Sequence, residues 1–148
     1  MKEENTYRQT IPSSTTGRYT ALTRKAMRIC YAAHEGQMDK SGVPYVFHPI
    51  HLAEQMETEE EICTALLHDV VEDTKWTLKE LEAEGFPTGV LEAVRLLTRE
   101  KDVPYMAYIE RLSGNQIARK VKLADLEHNS DLTRLIEVTE RDLRRQEK

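Results

Sequence analysis

The amino-acid sequence predicts an all-α fold, a single helical bundle, on three observations. Apolar residues recur at helical spacing along nearly its whole length. Two threonines, Thr58 and Thr77, are each followed three residues on by a glutamate, the signature of a capped helix start. No alternation of apolar and polar residues runs long enough for a sheet. At 148 residues the chain can bury a core without staples. No apolar stretch approaches the ~20 residues that a membrane helix needs.

The elements follow in order. The polar, Ser/Thr-rich opening, residues 1–18, reads as a flexible tail without the apolar core of a secretion signal. The domain is therefore expected to span 19–148 and to work in the cytoplasm. A first helix runs from Thr20 to His34, with Leu22, Ala26, Ile29, Cys30 and Ala33 on one face and Gly36 as its stop. The segment GQMDKSGVPYVF carries the turn residues Asp39, Ser41, Gly42 and Pro44; its YVF is a very short strand at most. Pro49 suits the first turn of a second helix, which ends near Glu57 and has His48 at or before its cap. The Thr58–Glu61 capping box starts a third helix, with a stripe of Ile62, Ala65 and Leu66, that continues through HDVVED.

Thr77 and Glu80 start a short helix that stops at Gly85. A helix over Thr88–Leu97 turns Val90, Leu91, Val94 and Leu97 inward, and another covers Tyr105–Leu112. The next begins near Asn115 and carries Ile117, Val121, Leu123 and Ala124; a last one after Ser130 offers Leu132, Leu135 and Ile136. Cys30 and Cys63 both fall on apolar stripes and read as reduced core residues.

The stretch HDVVED concentrates unusual chemistry. On a continuous helix His68 would stack under Glu72 and Asp69 under Asp73. Packing does not require an imidazole and three carboxylates there, because carboxylates bury badly unless paired or bound to a metal. Two acids at a helix C-terminus also oppose its dipole, which points to a compensating cation or a functional role. His48, and Asp125 near the end of a periodic run, extend the set. His48, His68, Asp69 and Asp125 make a mixed nitrogen and oxygen donor set, suited to Mn, Fe, Ni or Zn rather than Ca or Mg. His34 reads as a satisfied structural histidine, His51 as turned away from that ion, and His128 as a pocket residue. Lys40 and Lys122 could be ordinary surface charges, and Tyr45, Phe47, Trp76 and Tyr105 read as packing. A net charge of −5 argues against a general nucleic-acid binder.

AAHEGQMDKSGVPYVFHPI, ALLHDVVEDT and VKLADLEHN, in that order, resemble the HD-domain hydrolases of guanosine tetraphosphate. The resemblance runs from about Tyr19 to Leu135. It implies an HD-domain bundle with one divalent ion, Mn2+, between its helices, held by His48, His68, Asp69 and Asp125. It further implies that Glu72 and Asp73 handle the attacking water, and that Lys40, Ser41 and Asn129 lie by the nucleotide. The implied reaction is release of the 3′-pyrophosphate from a small phosphorylated nucleotide. No membrane and no polymeric nucleic acid is implied.

Three departures stand out. Asp39 occupies the place of the family's usual arginine before the Lys-Ser pair, and an acid there repels phosphate. Asp125-Leu126-Glu127-His128-Asn129 lacks a basic residue that the family commonly carries. The connection between HPI and HDVVED is shorter than in typical members. Another nucleotide or phosphoester, such as the 2′-phosphate of a nicotinamide dinucleotide, is the competing substrate class. A metal-bound but catalytically idle regulatory module is the competing function class, and the intact Glu72–Asp73 pair speaks against it.

Overall fold

The most apolar stretch of the chain becomes the centre of the molecule. The structure, a computed structural model, describes residues 18–131. It is all-α: α1 (Ala21–Ala33), α2 (Phe47–Glu54), α3 (Glu59–Leu67), α4 (Val70–Asp73), α5 (Leu78–Ala83), α6 (Thr88–Leu97), α7 (Tyr105–Ser113) and α8 (Gln116–Asn129). The expected last helix with Leu132, Leu135 and Ile136 lies outside the described residues, as does the expected tail apart from Arg18. The guanidinium of Arg18 donates to the carbonyls of Ala53, Glu54 and Met56, satisfying acceptors at the end of α2.

Helix α3 was expected to show one apolar stripe, but every residue from Ile62 to Leu67 is buried. A helix apolar on all sides belongs in the interior. Helices α1, α2, α6 and α8 pack around it. Ala26, Leu52, Val90, Val94 and Val121 complete the core from those helices. Cys30 and Cys63 are both buried and reduced.

The capping boxes form as expected at Thr58–Glu61 and Thr77–Glu80, and a third forms at Thr20–Thr23. In each, the threonine hydroxyl accepts the N–H three residues on, and that residue's side chain accepts the threonine N–H. Because Thr58 starts the central helix, Thr58→Ala is expected to cost about 1 kcal/mol, read as a lower urea midpoint at unchanged slope.

Four expectations need correction. Helix α2 begins at Phe47 and ends at Glu54, so His48 lies inside its first turn. The short strand is not YVF but an isolated bridge between Met38 and Pro44, which makes residues 37–45 a tight hairpin. Leu123 is 61% exposed, turned away from the core that Val121 and Ala124 reach.

The fourth matters most. HDVVED does not continue one helix: α3 ends at Leu67 and α4 starts at Val70. His68 Nδ1 lies 2.6 Å from the Ala65 carbonyl and donates to it as the last turn closes. Asp69 then sits at φ −103°, ψ −3°, in the bridge region between helical and extended backbone. The helix is interrupted, but Asp69 caps α4 and its carbonyl accepts the Asp73 N–H at 2.9 Å, so that pair keeps its one-turn spacing.

Candidate metal centre

Three elements deliver the site. The first turn of α2 brings His48, the end of α3 brings His68, and the last turns of α8 bring Asp125; all three side chains are buried. Their ligand atoms lie within 4.8 Å of one another. His48 Nε2 is 2.8 Å from Asp125 Oδ1. His68 Nε2 is 3.0 Å from Asp69 Oδ2 and 3.6 Å from Asp125 Oδ1, yet it is buried without a hydrogen-bond partner among the described residues. An orphaned imidazole nitrogen facing two carboxylates is costly unless something else takes its lone pair. These donors fit a divalent cation in residue type and in convergence.

Asp69 stands beside this trio. Its Oδ2 contacts His68 and also accepts the Tyr45 hydroxyl. Burial opposes charge on Asp69, and the His68 and Tyr45 contacts outweigh it, holding the carboxyl below the usual range. Burial likewise opposes charge on Asp125; His48, His68 and Lys122 outweigh it, and the group is held far below ordinary carboxylates. His68 is the complement: burial lowers it, but Asp69 and Asp125 raise it above an ordinary histidine. A metal would take over the proton's role between these carboxylates, so its binding releases protons and strengthens as pH rises.

Each member of the set is held from behind. His68 is tied to the Ala65 carbonyl. Asp125 receives Lys122 Nζ on Oδ2 at 3.2 Å and Asn129 Nδ2 on Oδ1 at 3.1 Å. His48 Nδ1 meets His128 Nδ1 at 2.6 Å. Such partners fix the orientation and proton position of a metal ligand.

Glu72 and Asp73 project from α4 into more open surroundings, both exposed. Glu72 Oε1 accepts the backbone N–H of Arg99 at 3.2 Å, which ties α4 to the end of α6. Burial of part of the Glu72 side chain, reinforced by Asp69 and Asp73, raises its pKa against that hydrogen bond. Partial burial, together with Asp69 and Asp125, also raises Asp73, against the pull of His34 and His68.

Lys40 and Ser41 lie on the 37–45 hairpin. Asp39 shapes this turn: its Oδ1 accepts the N–H of Ser41 at 2.8 Å and of Val43 at 3.0 Å. Asp39 also lines a cleft of about 380 Å³ with Phe47, His48, His51 and His128. A larger cleft of about 500 Å³, bordered by Met27, Tyr31, Ile62 and Leu66, holds none of the site residues.

Three residues were misread from sequence. Tyr45 is not simple packing, since its hydroxyl holds Asp69. Lys122 is not a surface charge: its side chain is 16% exposed, paired with Asp125 and set over the Tyr108 ring. His34 is only half satisfied, with Nδ1 on Gln37 Oε1 at 2.9 Å and Nε2 buried without a partner among the described residues. Lys122 stands three residues before Asp125 on α8, the spacing that places it one helical turn away, whereas Tyr45 reaches Asp69 from the hairpin that leads into α2.

Residues 26–143 match the HD domain family. The chain is 36% identical over 130 residues to a guanosine-3′,5′-bis(diphosphate) 3′-pyrophosphohydrolase of Danio rerio, covering 78% of this chain and 71% of that protein. It is 35% identical over 121 residues to the bifunctional (p)ppGpp synthase/hydrolase SpoT of Escherichia coli, covering 72% of this chain. It is 35% identical over 112 residues to a guanosine-3′,5′-bis(diphosphate) 3′-pyrophosphohydrolase of Haemophilus influenzae, covering 66% of this chain. The matches take in only 17% and 16% of those two bacterial proteins. A solved structure of a metazoan ortholog of SpoT that hydrolyses ppGpp aligns with TM-score 0.69 at 28% identity, over 86% of this chain and 79% of that one.

Proposed function

Because the chain belongs to the HD domain family, we propose that it is a divalent-metal-dependent phosphohydrolase that releases the 3′-pyrophosphate of guanosine tetraphosphate. The observation that carries this reading is the buried meeting of His48, His68 and Asp125, with Asp69 on His68 and the Glu72–Asp73 pair one turn on. The nucleotide is supported by the name of the Danio rerio relative, of which 71% is matched.

In this reading His48, His68, Asp69 and Asp125 hold one ion, Mn2+, which suits two imidazoles and two carboxylates. Such an ion, when bound, would supply Lewis acidity and a more acidic water. Glu72 takes the proton from that water. Its pKa, raised by partial burial and by neighbouring acids, brings it closer to the working range of a general base. Its Oε1 is occupied by the Arg99 N–H, which leaves Oε2 for the water. Asp73 orients the same water. Lys40 and Ser41 meet the nucleotide from the hairpin. Asn129, whose amide nitrogen is committed to Asp125, offers it a carbonyl oxygen. The substrate is a small phosphorylated nucleotide met in the cytoplasm; among the described residues no helix is long and apolar enough to cross a membrane.

The direct test is to incubate the Mn-loaded protein with guanosine tetraphosphate and separate the products by anion exchange. Guanosine diphosphate and intact pyrophosphate are expected. A loaded protein that leaves this nucleotide untouched while cleaving a 2′-phosphate from a nicotinamide dinucleotide would replace the reading with its competitor.

The hairpin gives a finer expectation. The sequence alone suggests that Asp39→Arg improves handling of the alarmone by removing repulsion and adding a cation. The structure shows that Asp39 also holds the hairpin, so Asp39→Arg gives up two hydrogen bonds. Asp39→Asn keeps the accepting oxygen and removes only the charge. At low salt Asp39→Asn is expected to lower KM about fivefold, roughly the 1 kcal/mol that two unit charges about 4 Å apart exert when well solvated. An unchanged KM would mean that this carboxylate does not act on the substrate.

A further inference from the structure

His128 is half-buried at the end of α8, and three observations about its ring converge. Its Nδ1 is 2.6 Å from His48 Nδ1. The two rings are nearly parallel, at 9°, with centroids 4.9 Å apart. His51 lies against the other side of the arrangement, its centroid 4.2 Å from that of His128 at 26°.

The His48–His128 pair is not a face-to-face stack. Stacked rings keep their planes at van der Waals separation, about 3.5 Å or more. Parallel rings with nitrogens at 2.6 Å and distant centroids must meet edge to edge, in one plane. That is the geometry of an N–H···N hydrogen bond, and one ring must donate while the other accepts. The His51–His128 contact, closer at the centroids, is a true stack.

The direction of the hydrogen bond follows from the other nitrogen of His48. Nε2 lies 2.8 Å from Asp125 Oδ1, inside the candidate metal centre; it donates to that carboxylate when no cation lies between them, and must give up this proton when one does. For Nε2 to offer its lone pair to a cation, the ring proton must sit on Nδ1. His48 Nδ1–H then donates to an unprotonated His128 Nδ1, whose own proton is on Nε2. We propose that His128 is a positioning residue: its Nδ1 lone pair holds the proton of His48 on Nδ1, and so turns the Nε2 lone pair toward the metal. His51 holds the His128 ring in the plane this requires. The proposal rests on the reading that His48 is a metal ligand.

Two substitutions separate the hydrogen bond from the ring. His128→Phe keeps an aromatic face for His51 but has no acceptor. His128→Asn loses the face but carries a carbonyl oxygen near the position of Nδ1. Affinity for Mn2+ alone, without nucleotide, is read by competition with a chromophoric chelator. His128→Phe is expected to weaken binding by 10–100-fold, the usual effect of removing the partner of a ligating histidine. His128→Asn is expected to stay within a few-fold of the unaltered chain. In the Zn2+-loaded protein, a slowly exchanging His48 Nδ1–H resonance should persist in the unaltered chain and in His128→Asn, and vanish in His128→Phe.

Wild-type affinity in His128→Phe would overturn the proposal. So would equal losses in both variants, because the accepting oxygen of the asparagine would then have rescued nothing. Because no nucleotide enters the measurement, failure to cleave guanosine tetraphosphate would defeat the proposed activity and leave this result standing.

Discussion

Asp125→Ala is expected to abolish divalent-metal binding and all metal-dependent activity. The carboxylate is the hub of the centre: Oδ1 faces His48 Nε2 at 2.8 Å and His68 Nε2 at 3.6 Å, while Oδ2 faces Lys122 at 3.2 Å. Removing it leaves two imidazoles and an ammonium group directed at one vacated point, with Asp69 the remaining buried or half-buried carboxylate beside them. Loss of a partner behind a ligand costs about 10–100-fold in affinity, and loss of the ligand itself should exceed that. The apo protein should suffer as well, since removing one member of a buried charge pair costs on the order of 3–5 kcal/mol.

Metal makes the two effects separable. Ion at 100 times its dissociation constant should stabilise the unaltered chain by about 2.7 kcal/mol, visible as a rise in Tm. The melting curve of Asp125→Ala should not respond to metal at all. Asp69→Ala should also lose the ion, and Tyr45 with it loses its acceptor. One equivalent of metal remaining on purified Asp125→Ala, by elemental analysis, would remove Asp125 from the ligand set.

Much of this centre was legible in the sequence because it is carried by local spacing. Capping boxes and the 3.6-residue period set the start of α3 and the bounds of α5 and α6 to within a residue or two, and the start of α8 likewise; α3 and α8 carry His68 and Asp125 to the centre. The break after Leu67 was not legible, because HDVVED has no glycine or proline to mark it. It depends on His68 bonding the Ala65 carbonyl and on the bridge conformation of Asp69. The complete burial of α3 was also hidden. Thr64 interrupts the apolar stripe until four helices close over it, and it satisfies its hydroxyl on the Glu60 carbonyl. Lys122 was misread for a related reason. A lysine's surroundings are set by tertiary packing, and here its stem runs into the α7–α8 contact while its ammonium finds Asp125.

Glu72→Gln is expected to lower kcat by about 10²–10⁴-fold, the usual worth of a general base, while metal occupancy and fold are unchanged. The substitution is selective because of what Glu72 touches. Its Oε1 accepts the Arg99 N–H, and a glutamine carbonyl oxygen can accept the same bond, so α4 stays tied to the end of α6. Its carboxylate takes no part in the His48, His68 and Asp125 cluster, so the ion should remain. Only the ability to take a proton is lost. The raised pKa of Glu72 adds a second signature, because the base works only when ionised. In the unaltered enzyme, turnover should fall on the acid side as Glu72 protonates; in Glu72→Gln that limb should disappear from what activity remains. Near-normal turnover in a metal-replete Glu72→Gln would transfer the proton-accepting role elsewhere, with Asp73 the next carboxylate on α4.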